Sequence, residues 1–195
     1  SNSGPAFLVG SIGAGVFGSA RLGVGLYIIH VLAAAITGLF FRVDGKCRGN
    51  APAAPRESGG ALIESVRQAA QSILSVCGFI VCFCVIIGLL DAHGIFSLLA
   101  GQLAQITGLE LHAARAALSG FLELGSGIGS MRGLAVSPAN LAIAAGIVGW
   151  GGVSVHFQTY AVLADSDIKG GLHLAGRLIN CAVSATLGYI FGLLL

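Results

Sequence analysis

From Gly133 to Ala164 the chain runs for 32 residues without a formally charged side chain. About 20 apolar residues are enough to cross the hydrocarbon of a bilayer, so a stretch of this kind is read first as membrane-embedded. Residues 22–41 and the run SILSVCGFIVCFCVIIGLL have the same character. Over all 195 residues only 9% are charged, against roughly 25% in an ordinary soluble domain. A fold of this size cannot be coated with charge in water, and mean hydropathy of +0.91 says the same. The lipid bilayer is therefore the first expected partner, and the class is a polytopic membrane protein.

The apolar stretches are continuous, whereas a barrel strand would alternate every second residue, so the expected fold is all-α. Glycine supplies 31 residues and proline only four, with no Gly-X-Y period. Glycine in membrane helices lets backbones approach closely and tolerates breaks where protein or a watery cavity satisfies the freed groups. The expectation is a helical bundle with broken or re-entrant helical hairpins, an architecture met in transporters.

A pass along the chain divides it as follows. Residues 4–18 are too short to span and read as a half-helix, with Gly10, Ala14 and Gly18 as a small-residue stripe. A span follows at 22–41, then a basic loop at 42–60. Arg42, Lys46, Arg48, Arg56 and Arg67 lie within the 26 residues from 42 to 67, among Asp44, Glu57 and Glu64. Flanked by apolar helices, they mark a cytoplasmic membrane loop and not a nucleic-acid surface. A long helix at 61–90 returns the chain. Residues 94–109 read as an interfacial helix or a short tilted span, which leaves the topology after residue 91 open. A gate-like hairpin is expected over 111–164, interrupted at 125–133 and again at 149–152, and a last span over 170–195. An offset of 150 pairs Phe7 with Phe157, Leu22 with Leu172 and Gly38 with Gly188, a faint sign of duplicated architecture.

Few residues are available for chemistry. Glu123 stands alone in an apolar stretch, where a charge at the bilayer centre costs about 2.5–3.5 kcal/mol on insertion scales. It reads as a proton carrier, cation ligand or substrate acceptor, or as one half of a helix-stapling pair with Arg132. Arg132 and Arg177 are candidate partners for Glu123 or for a carboxylate solute, since guanidinium binds carboxylate through two parallel hydrogen bonds. Arg177 would otherwise snorkel to an interface. Gly151 and Gly152 precede Ser154, His156 and Gln158. Ser154 and Gln158 share a helical face and His156 does not, unless the backbone unwinds and all three converge. Asn2, Ser3 and Gly4 open a half-helix whose amides favour an anion, or simply cap it. Cys77, Cys82 and Cys84 read as small packing residues. The five histidines lack metal-ligand spacing, and no nucleophile elbow, phosphate loop or dinucleotide fingerprint is present, so no catalytic residue or cofactor is assigned.

The combination SNSGPAFLVGSIGAGVFG, GFLELGSGI and GWGGVSVHFQTYAVLADSDIK resembles the nucleoside-recognition or Gate-domain membrane proteins, and among them the YlbJ-type sporulation integral membrane proteins. The resemblance implies a multi-span inner-membrane protein associated with moving dipicolinate across a forespore membrane. It also implies a further gate-containing half before Ser1, with Asn2, Ser3 and Gly4 at one hairpin tip and Glu123, Gly151, Gly152, Ser154 and Gln158 around the other. The expected function is a transporter for a small anionic or heteroaromatic solute, with the coupling proton or cation and self-association left open. A gate-domain scaffold that assembles with partner subunits, or a nucleoside transporter, are the alternatives.

Overall fold

The computed structural model describes residues 3–41, 60–163 and 170–195. The basic segment read as a cytoplasmic loop lies, over 42–59, outside the described residues. Every regular element among the described residues is helical. Four helical stretches are long and apolar enough to cross a membrane, namely Ala20–Phe40, Ala61–Ala92, Pro138–Ala161 and Gly170–Leu193.

The chain begins with a π-helical segment, Phe7–Ala14, that turns at Gly18 and folds back on α1, Ala20–Phe40. Its hydrogen bonds run from Gly15 N to Gly10 O and from Phe17 N to Ile12 O, five residues apart. This wider winding rotates the four-residue stripe off the interface. Gly10 and Gly18 therefore face open space, and Gly13 is the residue that meets Gly23 of α1. Ser19, in extended conformation, caps α1 by accepting from Leu22 N at 3.4 Å.

α2, Ala61–Ala92, is the least enclosed of the candidate spans, with Val81 and Leu89 more than half exposed. In a helix this apolar, such a surface suits lipid. Gly94 and Gly108, both at positive φ, bracket the short apolar helix α3, Ile95–Thr107.

The region expected to form one gate-like hairpin resolves into two devices. α4, Leu111–Leu122, and α5, Leu124–Gly129, form a tight antiparallel hairpin whose tip is Glu123. Gly127 rests on the backbone of Gly120, and His112 Nε2 donates to Ser130 O at 2.8 Å at the open end. The break thus falls at Glu123, ahead of the glycine-rich segment. Residues 124–129 remain helical because the Glu123 side chain supplies the cap that starts a new helix.

α6, Pro138–Trp150, and α7, Gly152–Leu163, are a single span broken at Gly151 and Gly152. Of the two forms expected for the interruption at 149–152, broken or re-entrant, the span has the broken one, because the chain does not reverse. Against α8, Gly170–Leu193, the partners run in strictly opposite order: Pro138 with Gly192, Ala145 with Gly188, Gly149 with Ser184, Gly151 with Arg177, His156 with His173 and Tyr160 with Gly170. Both glycines stand at positive φ, +88° and +82°, a conformation that L side chains rarely adopt. They interrupt the helix without bending it back.

Among the described residues the α6–α8 pair is the most extensive packing. A methyl group on Gly188 would come within 2.8 Å of Ala145 Cβ and Leu141 O, so the backbones touch. This small-residue seam carries the association, since lipid offers no hydrophobic gain for burying one apolar helix against another. Leu8, Ile12, Leu26, Met131, Leu141 and Val148 fill the core around it.

Candidate functional site: a broken span against a hairpin tip

Both helix interruptions meet in the interior. A Cβ on Gly152 would lie 2.9 Å from Leu124 N and 3.2 Å from Leu122 O, so the break in the span seats directly on the hairpin tip. Glu123 is 4% exposed, and its carboxylate accepts from Gly125 N at 2.9 Å and Ser126 N at 2.5 Å. Two amide donors at the start of a helix stabilise a carboxylate by hydrogen bonding and by the helix dipole. The staple to Arg132, the alternative reading of Glu123, does not form. Arg132 is exposed with no partner among the described residues, because α5 turns it away from the tip.

On the other side of the break lies Arg177. Its Nη1 donates to Gly149 O at 3.3 Å, and Asn180 Nδ2 donates to the same carbonyl at 3.0 Å. Gly149 lies in the last turn of α6, where a carbonyl loses its intrahelical partner, and these two side chains supply the missing donors. Arg177 is only 8% exposed, so it does not snorkel to an interface. Thr37 Oγ1 of α1 donates to Asn180 Oδ1 at 3.3 Å and fixes the amide orientation. Beside this node is a cavity of about 280 Å³ lined by Thr37, Gly38, Phe41, His173, Arg177 and Asn180.

His156 extends from α7 toward the same node, 4.2 Å from the Trp150 ring centroid, and shares a hydrogen bond of 3.3 Å between its Nδ1 and His173 Nε2. Trp150 in turn donates from Nε1 to Phe121 O at 2.9 Å and stacks on the Phe121 ring. An aromatic ladder therefore ties the hairpin to α6, α7 and α8. Within it His156 Nε2 has no hydrogen-bond partner, and neither do Ser154 Oγ, Ser184 Oγ and His30 Nδ1. Buried polar atoms of this kind are rare in native proteins and mark places where a ligand, water or ion completes the site.

Of the residues singled out from the sequence, Gly151, Gly152, His156 and Arg177 gather around the break, with Glu123 behind it. Ser154 is fully buried on the first turn of α7. Gln158 is not part of this group; it lines a second cavity of about 420 Å³ with Gln68, Gln71 and Ser72 of α2. Asn2 lies outside the described residues. Gly4 is exposed and accepts from Phe7 N, whereas the Ser3 amide donates to His30 Nε2 at 3.2 Å, placing the start of the chain against the middle of α1. Sequence reasoning missed Thr37, His173 and Asn180. For His173 and Asn180 the signal was present in α8, where His173, Arg177, Asn180 and Ser184 recur at helical spacing and draw one polar stripe along an apolar span.

Among the described residues no three His, Cys, Asp or Glu side chains converge as metal ligands. What the arrangement offers instead is one buried guanidinium, donor and acceptor side chains, and a break that frees backbone groups. Compared with known proteins, the chain matches no protein family, and no characterised protein or solved structure is similar to it.

Proposed function

We propose that this chain is part of a multi-span transporter that moves a small anionic or heteroaromatic solute, of the dipicolinate kind, across a cytoplasmic or forespore membrane. One observation carries the reading: the buried Arg177 guanidinium lies at the break of a membrane-length helix, beside a cavity of about 280 Å³. Guanidinium matches a carboxylate in shape and charge, and the rings of Phe41 and His173 in the same cavity suit a flat solute. Broken helices at mid-membrane are how secondary transporters offer backbone groups to a solute.

With the basic segment 42–59 on the cytoplasmic side, the Phe41 end of the bundle faces inward. The cavities at Arg177 and at Gln158 then open toward the cytoplasm, and the hairpin seated on Gly152 closes the opposite path. Movement of the hairpin tip away from the break would alternate access.

The test is solute uptake into vesicles containing the chain. Arg177→Gln is expected to abolish uptake while leaving insertion and folding intact, and Arg132→Gln is expected to leave uptake unchanged. Undiminished uptake by Arg177→Gln would remove the solute from this cavity.

A second reading is favoured by one observation. The hairpin tip at Glu123 is buried and closely packed, as a scaffold that assembles with partner subunits would require. A chain that inserts, folds and carries no solute under any gradient would favour the scaffold.

A further inference from the structure

The end of α2 that lies away from the basic segment borders a further polar pocket, of about 300 Å³, lined by Asp91, His112, Arg115, Ser119 and Ser130 beside the buried ring of Phe96. All of these residues are described, and the segments 42–59 and 164–169 join helix ends on the other side of the bundle. The pocket is separate from the cavity at Arg177, and the transport reading makes no use of it.

Arg115 of α4 is its centre. Its Nη2 pairs with Asp91 Oδ1 of α2 at 2.7 Å, and its Nη1 donates to Ser97 Oγ of α3 at 2.7 Å. The guanidinium also lies over the Phe96 ring of α3, 5.4 Å from the centroid. One arginine thus ties α2 and α3 to the outer leg of the hairpin. Its charge is balanced by Asp91, so a ligand of net charge, of either sign, would leave one charge unmatched in the pocket. What the ion pair still offers is one free edge on each side. Among the described residues, Arg115 Nε donates to nothing and Asp91 Oδ2 accepts nothing.

The rest of the lining is rich in acceptors. His112 donates from Nε2 to Ser130 O, which leaves Nδ1 of the neutral ring as an acceptor. The Ser130 hydroxyl gives its proton to Ser126 O and can only accept from a ligand. Asp91 Oδ2, His112 Nδ1 and Ser130 Oγ match in number the three N–H groups of a primary ammonium, and the guanidinium edge matches a phosphate or carboxylate oxygen.

The depth of the pocket in the membrane favours one source for such a group. The apolar run of α2 ends at Leu90 and Asp91 follows at once, so the pocket sits where the helix leaves hydrocarbon. α3, with 13 residues and a length of about 20 Å, is too short to cross and exposes Ile95, Leu98 and Ile106, as a helix lying in the interface does. Phospholipid headgroups occupy that level. Ile87 lines the pocket on the side of the exposed apolar surface of α2, along which acyl chains can run.

We infer that this pocket binds a zwitterion carrying a primary ammonium beside an anionic oxygen group, and that its occupant in the membrane is the headgroup of an ethanolamine phospholipid. The phosphate takes the free edge of Arg115 and the ammonium takes Asp91 Oδ2. Both charges of the ligand meet their opposites while the ion pair stays closed, and the lipid braces α2, α3 and the hairpin at one point. The site is independent of the solute reading of Arg177.

The experiment is native mass spectrometry of the purified chain in detergent, offered equal amounts of phosphatidylethanolamine, its N-methyl and N,N-dimethyl forms, and phosphatidylcholine, all with the same acyl chains. These lipids differ only in how many N–H groups remain beside the same phosphate. Retention is expected to fall with each added methyl group, the ethanolamine lipid exceeding the choline lipid by on the order of fivefold. Asp91→Asn should level the series, and Arg115→Gln should lower retention of all four lipids. Arg132→Gln, at an exposed position beyond α5, should leave the series as it is. Equal retention across the series, a series unchanged in Asp91→Asn, or phosphatidylglycerol bound above the ethanolamine lipid each overturns the inference. The methylation series needs only the unaltered chain, so it decides even where a variant fails to fold. Glycine carries the same two charges in free solution and separates the sources. The series should persist in excess glycine, and displacement of the ethanolamine lipid by glycine would overturn the lipid as occupant.

Discussion

Gly152 lies against Glu123: a Cβ on the glycine would come within 3.2 Å of the Glu123 Cα and 2.9 Å of the Leu124 nitrogen. The break in the span and the tip of the hairpin are therefore a single joint. Gly152→Ala combines a positive φ with a backbone collision, and strain of this kind costs about 1–3 kcal/mol. The expected result is a clear fall in the thermal midpoint in detergent. Gly171→Ala, at a position with open space around it, should melt as the unaltered chain does. Equal midpoints for the two variants would mean that the joint is loose.

Glu123 tests a different property of the same joint. Its carboxylate is held by Gly125 N and Ser126 N, so it acts as the N-cap of α5. Loss of both acceptors in Glu123→Ala should destabilise the fold by about 1–3 kcal/mol, whereas Glu123→Gln keeps one acceptor and should lose less. Solute affinity should be unchanged in Glu123→Gln. A large rise in KM for that variant would instead return Glu123 to the binding site.

An isolated carboxylate in an apolar run announces itself, and so does a glycine pair in a long uncharged stretch, so Glu123 and Gly151–Gly152 were legible. Their roles were not, because they depend on chain direction. A carboxylate followed by glycines fits a ligand and a helix cap equally well, and the cap becomes visible only with the reversal at Glu123. The glycine pair invited a hairpin, yet α8 runs beside both α6 and α7 and holds them in line. Asn180 and Thr37 were overlooked for a simpler reason. Each is a common polar residue in a span, and what distinguishes them is the helical register they share with Arg177 and His30.

The seam between α6 and α8 gives a prediction about stability alone. Gly188 touches Ala145 and the carbonyl of Leu141, and no side chain fits there without parting the helices. Gly188→Ile should therefore prevent a stable fold or lower the thermal midpoint more than any other single change proposed. Gly129→Ala, which faces open space on α5, should have little effect. If Gly188→Ile folds and melts normally, close backbone contact does not hold the pair together.

Asn180 separates structural support from recognition of an anion. Thr37→Val removes one hydrogen bond to Asn180, and such bonds within membranes average about 0.6 kcal/mol. It should lower stability slightly and leave KM within a few-fold of the unaltered chain. Asn180→Asp keeps the shape but places a carboxylate beside Arg177, at the shared carbonyl of Gly149. The change also sets a carboxylate oxygen where Asn180 Nδ2 donates to the Gly149 carbonyl, so this variant should melt below the unaltered chain, and the added negative charge should raise its KM for an anionic solute tenfold or more, about 1.4 kcal/mol of lost binding. The uptake assay compares the two variants directly. Should Asn180→Asp bind an anionic solute as well as Thr37→Val does, the carboxylate of the solute does not reach Arg177.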